Sequence, residues 1–258
     1  MGKCRIISSV VVVAGLIVVA VLLAVIFWPL KPTFIARCKE FKGYDCEKMW
    51  GTFEQAYVGR DPRTVPTEAY DPFIAAADFS ADPNKLMFWS KTNKVVHDFT
   101  EKKKGCFLTL EDTVLGYMLN GLTWCGKEGS TITFRSFACP GMEEKNAVDS
   151  FWNRVSAAFA DAACGDVTAM LNGDIATPFN PNSIFASIEV KRFDSSRVKS
   201  LNVVLVTEKS AVTNCTNASL KDLQKELKPG IQYYCKEVTE AQIKECSSNP
   251  EITCGACW

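Results

Sequence analysis

Three carboxylates stand in unusually apolar stretches of the sequence. Glu111 and Asp112 precede TVLGYMLNGLTW, and Glu189 lies within SIFASIEVKRF. A carboxylate that the fold holds next to a reacting centre can stabilise a positive charge that develops there. The structural alternative is that Glu111 and Asp112 cap a helix while Glu189 faces solvent on an edge strand, and composition alone favours this alternative.

Aromatic and imidazole side chains are the other candidates for chemistry. Trp89, Trp124 and Trp152 could hold a flat ligand, although such tryptophans more often belong to a core. His97 is the only histidine, so Ser-His-Asp or Cys-His catalysis would depend on it alone. It lies in KVVHDF, a helix-like context in which a lone histidine is more often packed or exposed. The chain has neither a Gly-x-x-x-x-Gly-Lys nor a Gly-x-Gly-x-x-Gly loop, which leaves carboxylate chemistry.

The elements that position these side chains change in character along the chain. Apolar residues recur at helical spacing over Cys46–Tyr57 and Ala147–Ala163, and Thr109 before two acids predicts a helix start. After Cys164 we predict short strands and intervening helices: strands at 167–171, 184–190, 203–206 and 231–234, and helices at 220–227 and 241–246.

Strands that alternate with helices favour a small parallel sheet, so the fold class is α+β or α/β. We expect a mainly helical part over about residues 38–145, packed on a smaller part over about 146–258 whose short parallel sheet is flanked by helices. A cleft between two such parts is a common ligand site.

Residues 6–28 form an uncharged run of 23 residues. A helix that rises ~1.5 Å per residue would extend roughly 34 Å over this run, enough to cross the ~30 Å hydrocarbon layer. A cleaved signal peptide has small residues at the cut, whereas this run ends in Phe27, Trp28 and Pro29. We therefore predict a signal anchor over residues 6–28, a cytoplasmic tail over 1–5 and a stalk over 29–37.

Cysteine usage sets the orientation of this anchor, because the basic residues on its two sides are nearly balanced. Eleven of the twelve cysteines follow the span, which is unusual in a reducing compartment without a metal or redox role. With one histidine we expect no metal site. Sequons at Asn214 and Asn217 predict glycosylation. The chain is thus expected to be a single-pass type II protein of the cell membrane, with its body extracellular or lumenal.

Six segments match a known family in sequence and in order. They are ARCKEF, LMFWSKTNKVVHDFT, LTLEDTVLGYMLNGLTWCG, FWNRVSAAFADAAC, VTAMLNG and NSIFASIEV. On these segments the chain resembles the ADP-ribosyl cyclase/cyclic ADP-ribose hydrolase family in its membrane-anchored leukocyte-surface form. The resemblance runs from about Arg37 to the last cysteines and covers essentially the whole ectodomain, residues 38–258.

The resemblance implies that NAD or NADP is a substrate and that no cofactor is needed. Glu189 matches the catalytic glutamate that stabilises, or transiently bonds, the ribosyl cation left when nicotinamide departs. Trp89 and Trp152 match the aromatic walls around the substrate, with Trp152 in the catalytic set. Glu111 matches the acid that contacts nicotinamide and influences hydrolysis against cyclisation. The implied substrate-binding residues also include Ser90, Lys91, Asp112, Asn120, Ser156 and Phe185.

Two positions depart from the family pattern. Asn120 stands where many relatives carry a second acid, so we expect its replacement by Asp to change product partition more than bond cleavage. Ile184 stands where relatives often have threonine, whose hydroxyl can form a hydrogen bond to a phosphate of the substrate. We therefore expect this chain to have a higher Michaelis constant for NAD than its Ile184→Thr variant.

The resemblance also implies disulfides Cys38–Cys46, Cys125–Cys139, Cys215–Cys235 and Cys246–Cys254. Cys106 and Cys164 are then left, and we predict that they pair. Cys257 remains, so we expect it to be free or to bridge two chains in a homodimer.

Two alternatives stay open at this point. The chain could be a surface receptor or adhesion module that kept the nucleotide pocket and lost most turnover, or an enzyme secreted after cleavage near residue 30. Lys plus Arg (29) equals Asp plus Glu (29), so no overall field would recruit nucleic acid.

Overall fold

The computed structural model describes residues 30–135, 139, 146–208 and 212–258. The predicted anchor at residues 6–28, the tail before it and residue 29 of the stalk lie outside these ranges. Across the ranges that are described, no helix is both long enough and apolar enough to cross a membrane.

Helices and strands follow one another along the described chain. The helices are α1 (Leu30–Cys38), α2 (Cys46–Glu54), α3 (Asp71–Ala77), α4 (Asn93–Lys102), α5 (Ala147–Asp161), α6 (Val190–Arg192), α7 (Ala218–Glu226) and α8 (Glu240–Ser248). The strands are β1 (Met87–Ser90), β2 (Trp124–Lys127), β3 (Ser130–Arg135), β4 (Gly165–Asn172), β5 (Val198–Thr207) and β6 (Gln232–Thr239). The helices predicted at 46–57, 147–163, 220–227 and 241–246 are confirmed as α2, α5, α7 and α8.

The predicted parallel sheet is confirmed, in the order β1-β4-β5-β6. Ala169 of β4 pairs with Val203 of β5, which pairs in turn with Cys235 of β6. The edge strand β1 was not predicted, and it pairs with β4 through Trp89 and Met170. Since β1 lies within the part expected to be helical, the sheet extends across the expected boundary near residue 145. Strands β2 and β3 form a separate antiparallel pair.

The strand predicted at 184–190 is wrong, because this segment is helical. Phe185–Glu189 forms a π-helical turn that continues into α6. The side chains of Phe185, Ala186, Glu189 and Val190 are buried, which is a helical spacing rather than an alternating one. Ser183 starts the helix, since its hydroxyl accepts from the backbone N–H of Ala186 at 3.2 Å.

An aromatic core joins the helices to one face of the sheet. The ring of Phe53 on α2 is fully buried and packs against rings from α1, α3, β2 and α5. Trp124 of β2 lies 5.1 Å from Phe53 between ring centroids, and its indole N–H donates to the hydroxyl of Tyr70. Trp124 is therefore a core residue, as the structural alternative had it.

A second core lies on the other face of the sheet, beneath α4 and α8. Met170 and Val204 are fully buried there with Phe99 of α4. The C-terminal residues close this core, because Trp258 stacks on Phe107 with 5.6 Å between ring centroids. Lys103 also donates from Nζ to the carbonyl of Ile252 at 2.9 Å.

Three of the predicted disulfides are formed and two are wrong. Cys38–Cys46, Cys125–Cys139 and Cys215–Cys235 are present. The C-terminal segment runs over the loop after α4, so Cys254 meets Cys106 instead of Cys246, and Cys257 folds back onto Cys246 of α8.

Cys164 is left as a free thiol at the start of β4, within the described residues. The predicted Cys106–Cys164 bridge is thus absent. Since Cys257 is paired, the thiol on which the expected homodimer depended is not available.

Candidate active site

A cleft of about 580 Å³ opens at the carboxyl end of β1. Ligands of parallel sheets commonly bind beyond the carboxyl ends of the strands. Nine of the ten residues that the sequence predicted for the site line this cleft: Trp89, Ser90, Lys91, Glu111, Asn120, Trp152, Ser156, Phe185 and Glu189.

Strand β1 brings one group of these side chains to the cleft. Trp89 and Ser90 are its last two residues, and Lys91 follows with a φ of 60°. This left-handed conformation is uncommon for a residue with a side chain and occurs often at functional sites. Lys91 is the one cation among the described residues that line the cleft, so it sets a positive charge at the end of the strand.

Glu189 is the buried acid of the cleft. It belongs to the π-helical turn, a feature found frequently at functional sites, and its exposure is 7%. Burial raises the pKa of its carboxyl to about 8, hydrogen bonding by the Ser156 side chain lowers it, and the charge of Glu111 raises it. An acid with this pKa is mostly protonated at neutral pH and responds strongly to a nearby positive charge.

Glu111 faces Glu189 from a short 3-10 turn, Leu110–Asp112. The indole N–H of Trp89 donates to Oε2 of Glu111 at 3.2 Å. The imidazole Nε2 of His97 lies 4.0 Å from the same oxygen. The position of Glu111 is therefore fixed by a tryptophan that itself lines the cleft.

Asp112 does not line the cleft, unlike the other predicted substrate-binding residues. Its Oδ2 accepts from the backbone N–H and the hydroxyl of Thr109, at 2.9 and 2.8 Å. These bonds form a capping box around the turn. Asp112 thus orients the segment that carries Glu111, as the capping alternative proposed for it.

Helix α5 supplies the opposite wall. Trp152 and Ser156 are four residues apart, so they lie on the same face of the helix. The ring of Trp152 packs edge-on against the buried ring of Phe151, with 5.3 Å between centroids, which ties the wall to the aromatic core.

Three polar lining residues were not predicted: Asn93, Thr123 and Ser183. Each lies within one of the matched segments that carry predicted site residues, so closeness in sequence to those residues was the signal that could have found them. In the part of the chain that is described, no group of three His, Cys, Asp or Glu side chains could hold a metal ion.

Comparison with known proteins gives a consistent result. The family model described as ADP-ribosyl cyclase matches residues 29–255. The rat (Rattus norvegicus) protein named ADP-ribosyl cyclase/cyclic ADP-ribose hydrolase 1 is 32% identical over 246 residues, which cover 87% of this chain and 80% of the rat protein.

Solved structures show the same fold. Porcine CD38 complexed with a covalent intermediate, ribo-F-ribose-5′-phosphate, has a TM-score of 0.77 at 32% identity, covering 83% of this chain and 97% of that one. Aplysia cyclase complexed with substrate NGD and product cGDPR has a TM-score of 0.73 at 29% identity, covering 86% and 94%. The chain therefore belongs to the ADP-ribosyl cyclase family.

Proposed function

We propose that this protein cleaves the nicotinamide–ribose bond of NAD and releases ADP-ribose, cyclic ADP-ribose or both. The observation that carries the proposal is Glu189, a buried acid in a cleft that Trp89 and Trp152 also line. Family membership supports the same substrate class, and the covalent intermediate in porcine CD38 supports attack at a ribose carbon.

The first step is departure of nicotinamide. The pyridinium nitrogen of NAD already carries positive charge, so the ring leaves as a neutral base without a general acid. The indole faces of Trp89 and Trp152 attract the cationic ring before it leaves, and such contacts contribute up to ~2 kcal/mol when desolvated. The described lining of the cleft contains no histidine, which is consistent with departure of nicotinamide without a general acid.

Positive charge then passes to the ribose, in an oxocarbenium-like transition state. The carboxylate of Glu189 stabilises this charge or bonds transiently to the ribosyl carbon. Burial holds the pKa of Glu189 at about 8. The cationic substrate favours the ionised form, so binding prepares the carboxylate for its task.

The second step decides the product. Water that attacks the ribosyl carbon gives ADP-ribose, and attack by the adenine nitrogen of the same substrate gives cyclic ADP-ribose. The outcome depends on how well the cleft excludes water and holds the adenine over the ribose. Glu111 and Asn120 are placed to influence it, because both line the cleft.

Lys91, Ser90 and Phe185 hold the pyrophosphate end of the substrate in this proposal. Ile184 lies beside them at the cleft, with 38% of its surface exposed. It offers no hydrogen bond to a phosphate. We expect Ile184→Thr to lower the KM for NAD, and steady-state kinetics with equal KM values for both forms would contradict this.

We further infer that residues 6–28 anchor the protein as a type II membrane protein, with the disulfide-bonded body on the extracellular or lumenal side. The five disulfides among the described residues support this compartment. The mass of the mature N-terminus tests the anchor, because a chain beginning near residue 30 would be a secreted form instead.

The proposed activity is tested on the full-length chain in detergent, incubated with NAD and resolved by chromatography. Wild type should release nicotinamide, and Glu189→Gln should be slower by about 100-fold or more, the usual loss when a charge-stabilising group is removed. Glu226→Gln, an exposed acid of α7, is the matched control. A folded wild type that binds NAD without releasing nicotinamide would favour the receptor alternative.

A further inference from the structure

His97 of α4 carries a buried polar atom that has no hydrogen-bond partner among the described residues. This atom is Nε2, although 27% of the side chain is exposed. Leaving a buried polar atom without a partner is unfavourable, and such a group calls for an explanation. The explanation lies in what Nε2 faces.

Nε2 of His97 faces the carboxylate of Glu111. The distance to Oε2 is 4.0 Å, which is within ion-pair range but too long for a hydrogen bond. The same oxygen accepts from the indole N–H of Trp89 at 3.2 Å. The imidazole also packs against that indole in a T-shaped arrangement, with 5.6 Å between ring centroids. His97, Trp89 and Glu111 therefore form one contact group.

Among the described residues that line the groove around His97, Glu111 is the acid positioned to pair with it. Asp112, the other acid of the turn, is engaged by Thr109. Glu101 and Lys104 line the outer groove beside His97, and both are exposed. Oε2 of Glu111, by contrast, lies 4.0 Å from Nε2, so an approach of about 1 Å would bring the two atoms within hydrogen-bond distance.

We propose that His97 is a positioning residue for Glu111, donating from Nε2 to its carboxylate when substrate occupies the cleft. Contact of nicotinamide with Trp89 then weakens the bond from the indole N–H to Glu111, and the bond from His97 keeps Glu111 in place. The consequence for product partition rests on the proposed function. His97 does not touch the reacting atoms, so its removal should change the product ratio more than the rate of nicotinamide release.

The first test is spectroscopic and needs no turnover. His97 is the only histidine, so a full-length chain without an affinity tag, labelled with ¹³C-histidine, gives one imidazole signal. We expect Glu111→Gln to move this signal and Glu101→Gln to leave it in place. We also expect nicotinamide to move it in wild type and not in Glu111→Gln. An unmoved signal in Glu111→Gln would overturn the contact whether or not NAD is cleaved.

The second test is a double-mutant cycle on the ratio of cyclic ADP-ribose to ADP-ribose. His97→Phe keeps a ring against Trp89 and removes the donor. It should shift the ratio about threefold or more in the direction of Glu111→Gln, because residues in contact couple by this much. In the double variant His97→Phe should add nothing, and His97→Gln should restore the wild-type ratio.

Independent effects in the double variant would overturn the proposal. So would a His97→Phe ratio equal to that of wild type. Thermal unfolding of each variant separates a folding defect from lost positioning, and the control Glu101→Gln should leave the ratio unchanged.

Discussion

Replacing Glu189 by glutamine should stabilise the folded protein at alkaline pH while slowing the release of nicotinamide. The carboxyl is 7% exposed, and its pKa is raised from an ordinary value of 4.5 to about 8, chiefly by burial. Between these pH values the folded chain retains a proton that the unfolded chain has lost. Raising the pH through this window therefore favours the unfolded state, and above about 8 the penalty is complete.

The size of this penalty follows from the two pKa values. One pKa unit corresponds to about 1.36 kcal/mol, so ionising Glu189 in the folded state costs about 5 kcal/mol at most. Glutamine has nearly the same shape, remains neutral and can still accept from Ser156. For a domain of this size each kcal/mol shifts the melting temperature by about 2–4 °C. We expect Glu189→Gln to melt at least about 5 °C above wild type at pH 8.5.

Tryptophan fluorescence during heating measures this difference on the full-length chain in detergent. At pH 4.5 the two proteins should melt within about 2 °C of each other, because little penalty remains there. Glu226→Gln, with its exposed carboxylate, controls for the loss of a charge. Melting temperatures of wild type and Glu189→Gln that stay parallel from pH 4.5 to 8.5 would refute the burial cost on which the account depends.

The remaining predictions concern other parts of the molecule. The kcat/KM for NAD should rise with pH through about 8, the pKa of Glu189. Ser156→Ala should move the midpoint of this rise to higher pH, because hydrogen bonding by Ser156 lowers that pKa. A flat pH profile of kcat/KM would contradict the carboxylate mechanism. Asn120→Asp should change the ratio of cyclic to linear product by more than it changes nicotinamide release, measured by chromatography. Alkylation without reduction should label Cys164, the free thiol among the described residues, and peptide mapping should find the other ectodomain cysteines in disulfides. Mass spectrometry should find glycan on the exposed Asn214 rather than on Asn217, whose amide caps α7 and donates to the carbonyl of Ala176 at 3.2 Å.

Much of the site followed from the family resemblance, because its residues lie in short contiguous segments that match the family, whereas composition alone favoured structural roles for the carboxylates and tryptophans. Trp89, Ser90 and Lys91 are consecutive, and Trp152 and Ser156 share a helix face that periodicity predicts. Asp112 shows the limit of the inference, since only its bonds to Thr109 distinguish a capping acid from a ligand-binding one.

The segment around Glu189 shows why part of the fold was mispredicted. In the run from Ile184 to Val190 apolar residues alternate, which is typical of a strand, yet a short apolar run fits a buried helix equally well. Packing against α5 and β1 decides the outcome, and Ser183 provides the helix start. The four-residue strand β1 was missed for a related reason, because its pairing with β4 is a long-range contact.

The disulfides reveal a second limit. Cysteine order along a chain does not determine connectivity. The pairing of Cys106 with Cys254 depends on the path of the last ten residues, where Lys103 and Phe107 contact Ile252 and Trp258. That path is a tertiary feature, and counting along the sequence could not supply it.

The central claim is that the carboxylate of Glu189 drives cleavage rather than binding. Single-turnover release of nicotinamide, measured over a range of enzyme concentrations for wild type and Glu189→Gln, tests it most directly, because the rate at saturation reports cleavage and the half-saturating concentration reports binding. We predict that the variant binds NAD within about tenfold of wild type and releases nicotinamide at least about 100-fold more slowly. Comparable release rates in the two proteins at saturating NAD would contradict the account.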